Sequence, residues 1–189
     1  MPLSESQRGE LLDVARKSIE YGLSHSGALP VDPAAHPPLD RPGASFVTLH
    51  RHGELRGCIG SLEAHRPLLA DVAENAYAAA FRDHRFNRLQ SGELDDLDVD
   101  VSVLSEPQPL NFTDQADLLA QLRPGIDGLI LEDHGRRGTF LPSVWQSLPT
   151  AEAFLHNLKL KAGLPGDHWS DTLRVWRYTT ESFGDSYSA

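Results

Sequence analysis

The sequence predicts an α+β protein with a mainly antiparallel sheet flanked by helices. Candidate strands come in pairs joined by tight turns, and the amphipathic helices stand between these pairs instead of alternating with single strands. Of the 189 residues, 40% are hydrophobic and 23% are charged, a balance typical of an ordinary globular protein. This length suffices for one large domain or for two small lobes that share a core.

The net charge and the cysteine content limit which partners and which cellular compartment we expect. The formal net charge of −10 would repel a phosphate backbone, so we expect no binding to nucleic acid. Cys58 is the only cysteine and cannot form an internal disulfide, so nothing indicates an oxidising compartment. The first residues show no signal-peptide pattern, and no apolar stretch approaches the ~20 residues of a membrane span. We therefore expect a cytoplasmic protein without a membrane partner.

The first predicted element is a helix over Ser4 to Leu23. Apolar residues recur there at helical spacing, and Ser4 with Gln7 has the spacing of a capping box. Five prolines then fall between Pro30 and Pro42. Because proline lacks a backbone N–H and disfavours helix in the preceding residue, we expect a long loop wrapped over the body or a mobile arm.

A β-hairpin follows the proline-rich segment. Its strands are predicted at Phe46 to Arg51 and at Glu54 to Gly60, with the turn at His52-Gly53. A helix then covers the Ala-rich segment from Pro67 to Phe81, where apolar residues form a nearly continuous helical stripe. After a polar connection, the alternation in LDVDVSVLS predicts a half-buried strand whose aspartates face solvent.

The remaining elements predict a second region of the same kind. We expect a short helix over Asp114 to Leu122, a second hairpin around HGRRG (residues 134–138), and a helix from Thr150 to Leu160 that Gly163 ends. A last strand is predicted over Leu173 to Thr179. The tail ESFGDSYSA is expected to fray.

Cys58 lies in the stretch LRGCIGS and is the first candidate for chemistry. Strict alternation would place Leu55 and Ile59 on the core side and Arg56 with Cys58 on the opposite side, facing a possible cleft. Arg56 could then stabilise a thiolate. The alternative is that Cys58 is only a small buried hydrophobic residue.

Two further segments carry candidate binding residues. Gly57 and Gly60 leave room for backbone or ligand to approach, or allow a bulge. The backbone near Ser61 could donate to an anion or simply form a sharp turn. The segment FRDHRFNR holds Asp83 and Arg85, where the arginine could clamp an anion or only pair with the aspartate and brace the loop.

The sequence predicts neither a metal site nor a cofactor. His50 and His52 lie two apart, but no third ligand can be assigned and His52 is a turn residue. The signatures of phosphate-binding loops, dinucleotide folds and zinc proteases are absent, and a lone cysteine excludes a CxxC pair. HGRRG is best explained as a hairpin turn, although its two arginines are a second candidate anion patch.

At this point the chain resembles a known family. LRGCIG at residues 55–60 looks like that family's signature hexapeptide, and four later blocks resemble the same family in order, namely AAAFRDHRF (78–86), ELDDLDVDVSVLS (93–105), DGLILEDHGRRGTFLPSV (127–144) and FLHNLKLKAGLPGDHW (154–169). It is the AMMECR-one domain family, whose bacterial members are called AmmeMemoRadiSam system protein A. One departure is His84, where relatives commonly have proline.

The resemblance implies an architecture and a setting but no reaction. It implies one domain over residues 1–189 with two unequal lobes, the larger containing both chain ends, and a cleft between them near the signature. The bacterial members are named for a three-part system, which implies a Memo-like protein and a radical S-adenosylmethionine enzyme as partners.

Three functional hypotheses remain open from the sequence. The first is a small anionic ligand or peptide bound in a cleft, with Arg56, Gly57, Cys58, Gly60 and Ser61 on one wall. Asp83, Arg85 and Phe86 would form the other wall. The second is an enzyme with Cys58 as nucleophile and His50, His65 or His84 as base. The third is a non-catalytic interaction subunit that uses the proline-rich arm.

Overall fold

The computed structural model describes residues 2–187 and confirms the α+β class. The chain divides into two compact units, one formed by the residues up to Leu104 together with those from Glu181, the other by Ser105–Thr180. None of the helices in the described residues is long and apolar enough to cross a membrane.

The first unit is built on a five-stranded sheet. Its strands are β1 (Pro42–Arg51), β2 (Glu54–Gly60), β3 (Arg66–Pro67), β4 (Leu97–Leu104) and β9 (Thr180–Gly184). The order across the sheet is β2-β1-β4-β9, and β3 pairs with the first residues of β1. The prediction that the tail frays is wrong for residues 181–187, because β9 lies beside β4 and Ser186 donates its N–H to Asp100. The last two residues of that tail lie outside the described residues.

Two helices cover one face of this sheet. They are α1 (Glu5–Ser24) and α2 (Leu68–Phe81). The predicted capping box at Ser4 and Gln7 is present, and the apolar stripe of α2 is buried as predicted. Gly22 of α1 lies against the ring of Phe81, so the two helices pack closely. Their shared core reaches the inner residues of β1 and β4.

The proline-rich segment is a loop wrapped over the first unit and not a mobile arm. A 3₁₀ helix spans Pro33–Ala35, and the side chain of Leu39 is buried in the core. The N–H of Leu69 donates to the carbonyl of Leu39, which ties the loop to the start of α2.

Two predictions about sheet faces are wrong. The register between β1 and β2 shifts by one residue after Leu49, which leaves Arg56 as an extra residue in β2. Alternation breaks at this bulge, so Leu55 is 41% exposed instead of facing the core. Asp100 of β4 is buried rather than solvated, because the chain after β9 covers it.

The second unit has a four-stranded sheet and two helices. The strands are β5 (Gln108–Pro109), β6 (Gly128–Asp133), β7 (Arg136–Phe140) and β8 (Arg174–Tyr178), in the order β5-β8-β6-β7. The helices are α3 (Gln115–Gln121), capped by Asp114, and α4 (Ala151–Lys161), which begins after the predicted capping residue Thr150. Only His134 and Gly135 form the turn of the second hairpin. Arg136 and Arg137, predicted as part of the turn, belong to β7.

Candidate functional site

The signature strand β2 lies directly against helix α2. A side chain at Gly57 would place its Cβ only 2.2 Å from the carbonyl oxygen of Ala79, and one at Gly60 would meet the ring of Phe46. The space beside both glycines is therefore filled by the protein itself. The absence of a side chain at Gly57 lets strand and helix approach, which brings the end of α2 next to Cys58, whereas Gly60 makes room for the Phe46 ring of β1.

Cys58, Asp83 and Arg85 meet at the end of α2. The N–H of Cys58 donates to Oδ2 of Asp83 at 2.9 Å, and Nη2 of Arg85 donates to the carbonyl of Cys58 at 3.3 Å. Asp83 is also held by Nε and Nη2 of Arg85 at 3.0 and 2.7 Å. The hydrogen bonds from Arg85 are the main reason why the pKa of Asp83 lies well below its usual range.

Arg56 is held in a second arginine–carboxylate pair. Its Nε and Nη2 donate to the two carboxylate oxygens of Glu93 at 2.8 and 3.0 Å. This bidentate pair lowers the pKa of Glu93 to about 2, with the Arg56 hydrogen bonds as the largest cause. The Nη1 atom of Arg56 is buried and has no hydrogen-bond acceptor among the described residues.

A surface depression of about 730 Å³ lies beside these two pairs. It is lined by Arg56, His84, Arg85, Phe86, Asn87, Arg88, Gln90 and Glu93. Phe86 is half-buried, with the guanidinium carbon of Arg85 5.4 Å from its ring centroid. The depression therefore combines one apolar surface with many hydrogen-bond donors.

Ser61 does not belong to this depression. Its hydroxyl donates to Oδ1 of the buried Asp71 at 2.7 Å, and its N–H donates to the carbonyl of Ser45. Asp71 also accepts from Ser45, Asn75 and Arg66. The Ser61 N–H is therefore satisfied within the protein, which favours the alternative of a sharp turn over a backbone anion site at Gly60-Ser61.

Sequence analysis missed Asp71 and Asn75, two polar residues on the buried face of α2. Asp71 is fully buried and Asn75 is 3% exposed. They lie four residues apart, as side chains on the same face of a helix do. That spacing within an apolar helix was the available signal, and it indicates a buried polar network.

The three predicted candidates for a base lie in different places. His84 is exposed and lines the depression, whereas His65 is exposed and contacts the carbonyl of Glu63. His50 shares the outer sheet face with Cys58; its Nδ1 lies 3.3 Å from Oδ2 of Asp100, at an angle that forms no hydrogen bond. The Sγ of Cys58 instead contacts Oγ1 of Thr48 at 3.3 Å.

The second unit holds a cluster with metal-ligating side chains that was not predicted. Ligand atoms of Asp133, His134 and His168 all lie within 4.8 Å of one another. Asp133 and His134 adjoin the second hairpin turn, while His168 follows α4. The hairpin was predictable from local sequence, but the approach of His168 depends on tertiary packing.

The fold and this geometry define an α+β protein whose signature strand β2 is bonded to the segment after α2 through Cys58 and Asp83, and to the 3₁₀ turn at residues 91–96 through Arg56 and Glu93. The family model for AMMECR1 matches residues 12–183, and the chain belongs to that family. A protein of Methanothermobacter thermautotrophicus is 40% identical over 188 residues, which cover 96% of each chain. A protein of Thermotoga maritima is 39% identical over 145 residues, 76% of this chain and 78% of its own.

A solved structure supports the same relationship. The crystal structure of the uncharacterised protein PH0010 from Pyrococcus horikoshii is similar with a TM-score of 0.86 and 31% sequence identity. The match covers 98% of this chain and 94% of that one.

Proposed function

We propose that this protein binds a small anionic ligand, or a peptide carrying an anionic group, in the depression beside the signature strand. The observation that supports this most strongly is the excess of donors over acceptors in its lining. Arg56, Arg85 and Arg88 carry positive charge there, while Glu93 is the one carboxylate in the lining. The protein as a whole has a net charge of −10, so this local excess of positive charge needs a reason.

The carboxylate in the lining leaves little capacity for a second cation. Both oxygens of Glu93 already accept from Arg56, and one also accepts from the N–H of Gln90. A ligand in the depression would therefore meet mainly donors. The side chains of Asn87 and Gln90 can add neutral hydrogen bonds to those of the arginines.

Two arginines remain able to bind a ligand. Arg85 is 57% exposed in its side chain although it pairs with Asp83. Arg88 is exposed, and its guanidinium carbon lies 5.2 Å from the centroid of the Phe81 ring, a contact that leaves its N–H groups for an anion. A small movement of the residues that line the depression would also let an anionic oxygen of the ligand reach the buried Nη1 of Arg56.

Isothermal titration calorimetry with inorganic phosphate, a phosphate monoester and a dicarboxylate tests this proposal. We expect saturable binding by at least one of these probes, weakened about tenfold by Arg88→Gln, because one charge-assisted hydrogen bond contributes about 1.5 kcal/mol or more. Arg82→Gln is the matched control. Arg82 is also exposed and also lies over an aromatic ring, that of Tyr77, but it does not line the depression.

Comparing the affinities of the two variants distinguishes binding in the depression from attraction to the overall charge of the protein. Equal weakening by Arg88→Gln and Arg82→Gln would mean that the probes respond only to net charge. Absence of saturable binding by all three probes would contradict the proposal.

The second candidate function is a cysteine-dependent enzyme, and the contact between Arg85 and the backbone of Cys58 favours it. A guanidinium close to Cys58 would stabilise a thiolate and so increase the fraction of the thiol in its nucleophilic form. Arg56 is less suited to this role than predicted, because Glu93 holds it. The rate of Cys58 alkylation by iodoacetamide, followed from pH 5 to pH 9, tests the hypothesis. A rate midpoint well below the ~8.5 of a free thiol supports it, whereas modification only after unfolding refutes it.

The family also supplies a hypothesis about partners. If the protein is an interaction subunit for a Memo-like protein and a radical S-adenosylmethionine enzyme, the outer surface of the proline-rich loop is a candidate contact. Deleting the loop would remove the buried Leu39, so exposed positions are the better targets. Co-expression of the three proteins, followed by size-exclusion chromatography, should show a complex that Ala34→Glu or Ala35→Glu weakens. Elution of the three as separate species would contradict this hypothesis.

A further inference from the structure

We propose that Asp133, His134 and His168 form a binding site for one divalent transition-metal ion of the Zn²⁺ class. The site lies in the second unit and does not depend on the anion proposal. Two imidazoles and one carboxylate are a common ligand set for zinc and for related transition metals. The two histidines disfavour Mg²⁺ and Ca²⁺, which prefer oxygen ligands.

The distances within the cluster suit one ion after small adjustments. Nε2 of His168 lies 2.6 Å from Oδ2 of Asp133, and Nε2 of His134 lies 3.7 Å from the same oxygen. Tetrahedral ligands about 2.0 Å from zinc stand roughly 3.3 Å apart, which falls between these two values. Binding therefore requires His168 to exchange its hydrogen bond for the metal and His134 to move slightly inward.

The backbone places His134 where it can make this movement. His134 and Gly135 form the turn of the β6–β7 hairpin with positive φ values of 48° and 73°. The His134 side chain is 63% exposed, so little packing restrains the rotation of its ring. The ring centroids of His134 and His168 are 6.1 Å apart with an edge-on arrangement. Both imidazoles thus stand next to the same carboxylate oxygen.

Asp133 is held in position by donors from a distant segment. The hydroxyl of Ser170 donates to its Oδ2 at 2.5 Å, and that of Thr172 donates to its Oδ1 at 2.7 Å. Burial alone would raise the pKa of Asp133, but the hydrogen bonds from His168, Ser170 and Thr172 outweigh it and keep the carboxyl ionised. A metal-binding carboxylate is commonly fixed in this way by hydrogen bonds from outside the ligand set.

The cluster is reachable from the surface. Asp133 and His134 line a depression of about 530 Å³ together with residues 171–174. Arg174, the cation in this lining, is paired with Glu132 at 2.5 Å. Three protein ligands leave a fourth zinc position for water or another small ligand, as in zinc sites that are not purely structural.

The chain contains a matched control for this site. His52 occupies the same position in the first hairpin, with φ values of 53° for His52 and 79° for Gly53. Its Nε2 also lies 3.7 Å from an aspartate oxygen, that of Asp96. The two hairpins differ in what surrounds the histidine. Among the described residues, His134 has Asp133 and His168 beside it as further metal-ligating side chains, whereas His52 belongs to no such group of three.

Zinc titration of tag-free protein, first dialysed against a chelator, tests the proposal by calorimetry. We expect one equivalent of Zn²⁺ to bind. His134→Asn should weaken this binding at least about tenfold, and Ser170→Ala should weaken it about 10–100-fold by releasing Asp133. His52→Asn should leave it unchanged. Circular dichroism of each variant checks that the fold is intact, and the exposed His134 makes its variant the least disruptive.

A second measurement excludes the thiol as the ligand. Co²⁺ bound to this nitrogen and oxygen set should give visible d–d absorption without a thiolate charge-transfer band, and Cys58→Ser should not change it. The absence of one-equivalent binding would overturn the proposal. So would binding that survives both His134→Asn and His168→Asn, or binding that His52→Asn or Cys58→Ser abolishes.

Discussion

The two hairpins of this protein have the same kind of turn but different side chains around it. Each turn is a His-Gly pair with positive φ at both residues, and each histidine stands 3.7 Å from an aspartate oxygen. In the first hairpin that aspartate, Asp96, is 48% exposed in its side chain. In the second, Asp133 is fully buried in its side chain and accepts hydrogen bonds from His168, Ser170 and Thr172. The turn therefore presents a histidine, but residues distant in sequence decide whether a site forms.

The strands that follow the turns extend the contrast. On the first hairpin, β2 lies beside arginines and donors, which suit an anion. On the second, the end of β6 supplies a buried carboxylate beside two imidazoles, which suit a cation. If both proposals hold, the same supersecondary unit carries opposite ligand preferences, set by the segments that pack against it.

The largest expected loss of stability comes from substituting the glycine at which each hairpin contacts a helix. Gly57→Ala should lower the free energy of unfolding by about 3 kcal/mol, because its Cβ would lie 2.2 Å from a backbone oxygen that cannot move alone. Gly138→Ala should lower the free energy of unfolding by about 1–2 kcal/mol, because its Cβ would lie 2.9 Å from the backbone N atom of Ala162. Urea unfolding followed by circular dichroism measures both.

Gly92→Ala is the control for these glycine variants. A Cβ at Gly92 would meet nothing within 4 Å, so its stability should be unchanged or slightly raised. If Gly57→Ala proved as stable as Gly92→Ala, the close approach of β2 and α2 would be wrong.

The next prediction compares the stability lost when each of the two aspartates beside the turns is replaced by asparagine. Asp133→Asn should lower the free energy of unfolding by about 2 kcal/mol, because the amide cannot accept every hydrogen bond that the buried carboxylate accepts. Asp96→Asn should change it by less than about 0.5 kcal/mol, as expected for an exposed position. Thermal or urea unfolding of the metal-free protein provides the measurement. Equal losses would contradict the contrast between the hairpins.

A smaller effect concerns pH and the pair between Arg56 and Glu93. The pKa of Glu93 is lowered from 4.5 to about 2 in the folded protein, so its stabilisation is present above pH 4.5 and is lost as the pH falls toward 2. We expect the loss to be about 1–2 kcal/mol after screening by solvent. Glu93→Gln should remove this pH dependence, and Glu106→Gln, at an exposed loop position, should not. Parallel pH curves for all three proteins would refute this assignment.

The sequence predicted most of the elements but less of the sites. Both hairpins, the capping box at Ser4 and the buried stripe of α2 depend on local spacing, which a sequence displays directly. The strand β9 depends on pairing with β4, which is distant in sequence, and the bulge at Arg56 depends on the register that the first hairpin adopts; the spacing of residue types contains neither. The same reason explains why Asp83 and Arg85 were expected near Cys58 only as a hypothesis, and why His168 was not connected with Asp133.

Anion binding in the depression beside the signature strand can be followed residue by residue. We would titrate ¹⁵N-labelled protein with inorganic phosphate and record amide NMR spectra. We expect saturable shifts concentrated at the residues of the depression, from His84 to Gln90 and at Arg56, and their loss in Arg88→Gln but not in Arg82→Gln. Shifts that spread evenly over the surface, or that survive in Arg88→Gln, would contradict it.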